Sequence, residues 1–414
     1  MSANDLLETQ QQICDEKIFL YASGASDHTF GNARIVCWDW HTGQKIFEQS
    51  TQLSGQSFQT IEDFLLLSSK IFATSVFSTS RIPNQEGEDF DLATHLVVYG
   101  LVEIGGLGGS DKRQSSCEAK EEKLIIALKQ LLRFELPSFN VIPGITMRAD
   151  PPPRPTFPKI KPLMMYPKPE TGLLLFTFDC GFLRDFRPAY YTLFILKETL
   201  LRFIPAEAHA MLATPASDPT LRDAYRVPPT VGFDQLAPYC RLKNDIEPQN
   251  WVTFIYHYRF VSYITRDDGA RRNPFLRAAF GAGHKYIRLN DFDPVTARRV
   301  MMMRKWERAS ARGMEMDEVR DGDVEGEDDD GLDLVVGEDV IEEGIDEHVS
   351  QTYRTGAKVR LIAVRVRKDK SADDDGLTKT QKAEPYSGVM IDDSRIVTIT
   401  EREGQTAFLE VLSM

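Results

Sequence analysis

The run Ile35-Val36-Cys37-Trp38-Asp39-Trp40-His41-Thr42-Gly43-Gln44-Lys45-Ile46-Phe47 constrains the fold more than any other stretch of the chain. An apolar, β-branched run ends in the pair Trp38-Asp39, a polar turn around Thr42 and Gly43 reverses the chain, and a second apolar run follows. That order predicts an antiparallel hairpin, with Asp39 accepting hydrogen bonds from the adjoining turn. Trp38, Asp39 and Gly43 are accordingly read as structural residues.

Comparable apolar runs recur at 18–22, 64–67, 71–77, 96–102, 124–136, 173–178, 190–195, 200–204, 251–264, 286–289, 359–366, 386–391, 395–400 and 407–412. Before residue 295 no long segment has clean helical periodicity, so many short strands with irregular loops predict an all-β chain rather than an α/β sheet. The Trp-Asp hairpin resembles the one that closes a WD40-type propeller blade. The resemblance implies a degenerate propeller of about five to seven blades with a short helix and a disordered acidic insertion. The spacing of the runs is irregular, and a β-sandwich or two smaller β domains are the alternatives. In the propeller reading, residues 1–312 hold blades with loops at 103–122 and 143–171. Residues 313–352 are the acidic insertion, and 353–414 are C-terminal strands that complete the ring.

Charge divides the chain unevenly. The net charge is −13, yet the segment from Glu315 to Glu347 alone carries −16, with 17 acidic residues against Arg320, so the rest of the chain is near neutrality at +3. Immediately upstream, 295–314 holds Arg298, Arg299, Arg304, Lys305, Arg308 and Arg312 against Glu307. A basic segment thus runs directly into an acidic one, and no nucleic-acid partner is expected. No apolar run approaches the roughly 18 residues needed to span a bilayer, and the polar start Met1-Ser2-Ala3-Asn4-Asp5 has no secretory pattern. A monomer of the cytosol or nucleus is the expectation. Cys14, Cys37, Cys117, Cys180 and Cys240 are widely spaced and never form Cys-x-x-Cys, which argues against both a disulfide framework and a zinc site.

Three long interruptions read as connections. Gly105-Gly106-Leu107-Gly108-Gly109 lacks the register of a phosphate-binding loop and reads as a linker. The nine prolines between Pro143 and Pro169 favour extended, solvated chain, and Pro155-x-x-Pro158 has the spacing that aromatic grooves recognise. The acidic run predicts disorder through self-repulsion and low aromatic content. Within it, Asp321-x-Asp323-x-Glu325-Gly326 begins like a calcium loop, but Leu332 stands where the closing Glu belongs, so no metal is expected.

The segment 295–314 is helical in pattern. Met302, Trp306, Ala309 and Gly313 share one face, while Met301, Lys305, Arg308 and Arg312 share another. Packing of Met302 and Trp306 on the body of the fold is one reading, and a partner-binding or membrane-surface element carrying Arg298, Arg299, Arg304 and Lys305 as well is the other. The neighbouring charges suggest that the acidic run folds back transiently on the basic helix.

Catalytic signatures are scarce. There is no His-Glu-x-x-His and no Gly-x-Ser-x-Gly, and the seven histidines show no ligand spacing, so no cofactor is expected. Asp291 and Asp293 in Asn290-Asp291-Phe292-Asp293-Pro294 could form a carboxylate pair for acid–base work, but Pro294 marks a turn that such aspartates bend and cap.

Several separated segments together resemble the region that follows the F-box in the divergent F-box proteins of mushroom-forming fungi. They are Ile35–Trp40 with its turn, Phe134-Glu135-Leu136-Pro137, the run from Trp251 to Val261, Asp291-Phe292-Asp293-Pro294, and Met390–Val397. The resemblance implies a propeller that presents substrates to a ubiquitin ligase without catalytic residues of its own. Residues 1–17 are too short for the helical F-box, so the resemblance does not extend to attachment to a cullin complex. The function expected is protein binding. An enzyme with a carboxylate site in a propeller channel, or a membrane-surface binder acting through 295–314, is the alternative.

Overall fold

The structure is a computed structural model. It describes residues 8–14, 17–23, 34–50, 52–54, 57–81, 90–104, 125–140, 143–150, 171–180, 190–213, 228–244, 255–264, 286–312, 333–336, 339–341, 351–365, 388–391, 395–402 and 405–413. Strands dominate these residues, as the all-β reading requires.

The first sheet is a four-stranded antiparallel meander of β1 (Glu8–Cys14), β2 (Lys17–Ser23), β3 (Arg34–Asp39) and β4 (Lys45–Ser50). Strand alternation turns Phe19 and Tyr21 to the same side as their cross-strand partners Cys37 and Ile35, and all four are buried. The second sheet continues the meander with β5 (Gln52–Ser54), β6 (Ser57–Leu66), β7 (Ile71–Arg81), β8 (Phe90–Ile104) and β9 (Ile125–Glu135), and β13 (Thr230–Val231) joins β9 in parallel. One face meets the first sheet through aromatic contacts: Phe19 lies 6.4 Å from Phe64 and 5.9 Å from Phe72, and Phe47 stacks on Phe72 at 5.6 Å. The other face, with Leu65, Ala73, Leu96, Val98, Leu132 and Phe134, enters a separate core. Burial on both faces explains why these strands read as continuous apolar runs rather than as alternating ones.

That larger core is shared with the third sheet, β10 (Gly144–Asp150), β11 (Leu173–Asp179), β12 (Tyr190–Leu196) and β14 (Cys240–Lys243). Between β12 and β14 come the helices α1 (Lys197–Arg202), α2 (Ala206–Ala213) and α3 (Phe233–Leu236). Helix α2 covers β8 closely. A Cβ at Gly100 would come 2.6 Å from a methyl of Leu212 and 2.9 Å from one of Leu131, so any side chain there would force these leucines to shift.

A buried carboxylate also joins the second and third sheets. Asp63 sits at a β-bulge in β6, only 5 % exposed. It accepts the Phe64 N–H at 2.7 Å through Oδ1 and the Met147 N–H of edge strand β10 at 2.7 Å through Oδ2, with Arg148 Nη1 3.5 Å away.

The fourth sheet runs β15 (Ile255–Tyr256), β16 (Arg259–Ile264), β17 (Tyr286–Asp291), β21 (Val359–Arg365) and β18 (Asp333–Val336). Helix α4 (Pro294–Arg312) follows β17. A two-stranded pair, β19 (Asp339–Ile341) with β20 (Tyr353–Thr355), and a three-stranded meander of β22 (Gly388–Ile391), β23 (Arg395–Arg402) and β24 (Gln405–Ser413) complete the described elements.

Several expectations need correction. Residues 200–204 do not form a strand, because Leu200 and Ile204 are buried from α1 and the turn after it. The loop placed at 143–171 begins with β10, whose alternating Ile145 and Met147 are buried, and the loop placed at 103–122 begins inside β8. The insertion 313–352, expected to be disordered, contributes β18 and β19. Each finds a partner strand for its backbone, β21 and β20 respectively. The glycine-rich run, 151–169 of the proline-rich run, the calcium-loop-like stretch and Trp251–Phe254 lie outside the described residues.

Candidate functional site

Helix α4 is placed by the turn that introduces it. Asp291, the last residue of β17 and 2 % exposed, accepts the Asp293 N–H at 3.0 Å, and its other oxygen lies 3.7 Å from Arg259 Nε. Asp293 occupies the cap position: Oδ1 accepts the Val295 N–H at 2.9 Å and Oδ2 accepts the Thr296 hydroxyl at 2.7 Å. Pro294 then opens the helix, where its missing N–H costs nothing. Both aspartates are thus engaged in shaping the chain. Phe292 between them is 3 % exposed and stacks on Phe194 at 4.9 Å, fixing the helix origin to the core below.

The hairpin from β15 to β16 supports the same corner. His257 adopts φ 54°, the left-handed conformation its tight turn demands, and stacks on Tyr258 with ring centroids 4.1 Å apart. Its carbonyl accepts the Leu173 N–H at 2.7 Å, and the Tyr258 carbonyl accepts the Phe292 N–H at 2.9 Å. The Tyr258 hydroxyl donates to Glu198 Oε1 at 2.8 Å. Burial, then the hydrogen bond and charge of Glu198, push that phenol well above its usual range. Burial likewise lowers His257.

From this base α4 runs 19 residues, about 28 Å. It sinks little into the fold. Ala297 is buried, Val300 and Met301 are half-buried, and Lys358 Nζ donates to Met301 Sδ at 3.6 Å, with β21 and β18 alongside. The opposite side carries Val295 (74 % exposed), Met302 (52 %), Met303 (53 %) and Trp306 (60 %), with exposed Arg298 and Arg299 between them. Among the described residues seven large apolar side chains are more than half exposed, and four of them belong to this one helix. Scattered singly they would mean little; clustered at Val295, Met302 and Trp306, spacings of seven and four, they form a stripe.

The packing of Met302 and Trp306 on the body of the fold is therefore corrected. The helix phase is set by Phe292, Asp293 and Ala297, which turns Ala297 and Met301 inward and Met302 and Trp306 outward. The side chains of Arg304, Lys305, Arg308 and Arg312 and all of Gly313 lie outside the described residues; the four basic residues are on the helix backbone. Pattern reading missed Val295 and Met303. The signal that could have found them is the Asp-Phe-Asp-Pro turn, which numbers the helix from Pro294 and so fixes its faces. Nothing in the linear sequence announced the Glu198–Tyr258 pairing, whose partners are 60 residues apart.

The Trp-Asp hairpin forms as expected. Asp39 Oδ1 accepts the N–H groups of His41 and Thr42 at 2.9 Å each, bonds that hold its carboxyl below the usual range, and Gly43 takes φ 68°. Trp38 is half-buried in β3, whereas Trp40 is 52 % exposed and stacks on His41.

Among the described residues no group of three or more His, Cys, Asp or Glu is placed to hold a metal ion, and no helix is long and apolar enough to cross a membrane. No family model, no curated protein and no solved structure matches the chain, so the geometry of α4 and its surroundings is what a functional reading rests on.

Proposed function

We propose that the chain is a non-catalytic protein-interaction module that docks an acidic, amphipathic segment of a partner protein along α4. The observation that carries this reading is the outward stripe of Val295, Met302, Met303 and Trp306 flanked by Arg298 and Arg299. Trp and Arg are among the side chains that dominate binding hot spots, Met is an adaptable residue common on binding surfaces, and Arg adds directional bonds to carboxylates. Arginines beside the stripe favour acidic neighbours in the partner. The same features suit a lipid surface, and the vesicle assay below separates the two.

The wider reading is a degenerate WD40-like propeller of about five to seven blades, acting as a monomer in the cytosol or nucleus and related to F-box substrate receptors. The four-stranded first and third sheets are of blade size, and the Trp-Asp hairpin supports it; the six-stranded second sheet is larger than a blade. In that setting α4 would be the substrate-docking element.

The test is quantitative affinity purification of the tagged chain from cells, beside the double variant Met302→Glu/Trp306→Glu, with co-sedimentation on anionic vesicles as a parallel assay. The expected result is a reproducible partner set that the variant loses at least about tenfold, with vesicle binding absent in both. An identical partner set in both proteins would overturn the reading. Vesicle binding by the parent chain alone would replace it with the lipid-surface reading. Cullin adaptor subunits among the lost proteins would extend it to ubiquitination.

A further inference from the structure

A second feature lies on a different sheet. On the face of the second sheet that carries Phe64 and Phe72, the register aligns Thr74 of β7, Val97 of β8 and Arg133 of β9 in one row across three strands. His95, two residues from Val97, shares the face and stands opposite Glu135. Neighbouring strands are about 4.8 Å apart, so Thr74 and Arg133 flank Val97 at roughly 10 Å from each other, with His95 as the next residue on that face along β8. Thr74 is fully buried and His95 is 7 % exposed, while Arg133 is half-buried and Glu135 lies at the exposed rim.

Three atoms on this face, Thr74 Oγ1, His95 Nδ1 and Arg133 Nε, are buried without a hydrogen-bond partner. One orphaned polar atom is an ordinary blemish, since more than about nine in ten buried polar groups are satisfied. Three orphans on adjacent strands of one face are a set, and their chemistry is consistent. The guanidinium Nε–H is a fixed donor, the threonine hydroxyl can donate, and imidazole Nδ1 donates in one tautomer or when protonated. The cation excludes a metal ion and calls for negative charge.

We propose that Thr74, His95 and Arg133 form a binding site for a small oxyanion, the phosphate or carboxylate group of a small molecule. Arg133 supplies the charge and a directional donor, Thr74 and His95 complete the donor set, and the apolar floor of Val76 and Val97 excludes water and strengthens the contacts. Glu135, whose charge already acts on Arg133 from the exposed rim, competes with the anion, so a ligand binds only by outweighing that interaction. The electrostatics agree. Burial holds the Arg133 guanidinium below its usual range, with the charge of Glu135 as a partial offset, and burial together with Arg133 depresses His95 to about 4. An anion in the row would reverse both effects.

The probes are inorganic phosphate and acetate, each titrated into the full chain against chloride at matched ionic strength. Two readouts are taken: the thermal midpoint, and the titration of His95 followed by NMR of labelled histidine with the His95→Gln variant as assignment. A saturable rise in midpoint together with an upward shift of the His95 titration of about one pH unit or more supports the site. A response to phosphate alone assigns a phosphate group, and a response to both assigns the shared oxyanion chemistry with room for a carboxylate. Arg133→Gln should weaken the half-saturating concentration at least about tenfold. Should that variant fail to fold, Thr74→Val, which keeps every charge, should weaken it about threefold or more. No saturable response to either anion, or an unchanged response in the variants, overturns the proposal.

Discussion

Replacing Asp63 tests whether one buried carboxylate holds the second and third sheets together. In Asp63→Ala the Phe64 and Met147 N–H groups, each at 2.7 Å from a carboxylate oxygen, lose their acceptor inside the protein. Hydrogen bonds to a charged group contribute about 1.5–3 kcal/mol each. The Arg148 contact at 3.5 Å is half-exposed and adds less than about 1 kcal/mol. Removing the carboxylate also removes its own desolvation cost, which offsets part of the loss. The expected destabilisation is therefore about 3–5 kcal/mol, a large share of the 5–15 kcal/mol typical of a folded chain. Asp63→Asn keeps one acceptor oxygen but turns an NH2 toward the other donor, so about half the loss is expected. Urea unfolding followed by circular dichroism and tryptophan fluorescence gives the global number. Hydrogen exchange at the Met147 amide isolates the local effect, because that N–H, on edge strand β10, is bonded to Asp63 Oδ2. A loss below about 1 kcal/mol for Asp63→Ala, with the Met147 amide still protected, would falsify the reasoning.

Three further predictions concern other parts of the fold. Asp293→Ala should cost about 1 kcal/mol and speed exchange of the first-turn amides of α4, since both capping bonds disappear; unchanged exchange at Val295 would deny the cap its role. Tyr258→Phe removes the hydroxyl that donates to Glu198 Oε1, leaving a carboxylate whose Oε2 is already buried without a partner, and should cost about 1–3 kcal/mol in urea unfolding. His95 is held neutral in the folded chain, its titration lowered from 6.5 to about 4, so the unfolded chain takes up a proton first as pH falls. The resulting stability is fully present above pH 6.5 and drains away between about 6.5 and 4; His95→Gln should remove that part of the slope, and parallel profiles for the two proteins would contradict the assignment.

What the sequence disclosed follows the range of the interactions involved. The Trp-Asp hairpin, the C-terminal meander and α4 were readable because turn chemistry and periodicity are local, set by Asp39 and Gly43 in one case and by Asp293-Pro294 in the other. The 200–204 segment was misread because Leu200 and Ile204 are apolar at a spacing that serves a buried helical turn as well as a strand, and tertiary contact with the core decided the matter. Strands β18 and β19 were hidden by charge: the acidic composition around them predicts disorder, while backbone pairing with β21 and β20 does not depend on side-chain polarity. The Thr74–His95–Arg133 row was beyond reach for another reason. Its members are 21 and 38 residues apart, and only the register of three strands aligns them.

The outward face of α4 is where local rules are broken without a structural return. Everything that fixes the helix obeys them: a capping aspartate, a proline in the first turn, an aromatic anchor at Phe292 and a small residue, Ala297, where the helix meets the sheet. Arg298 and Arg299, by contrast, sit near the N-terminal end, where the helix dipole disfavours cations, and Met302, Met303 and Trp306 leave large apolar area in water. Those residues contribute little to folding, so Trp306→Ala should change stability by less than about 0.5 kcal/mol. Tyr258→Phe should do the opposite, lowering stability while leaving the docking face intact. The two variants therefore separate the support of the helix from its use. If Trp306→Ala destabilises the chain as much as Tyr258→Phe does, the stripe is part of the fold and the docking role fails. If it abolishes partner capture at full stability, the face is kept for binding.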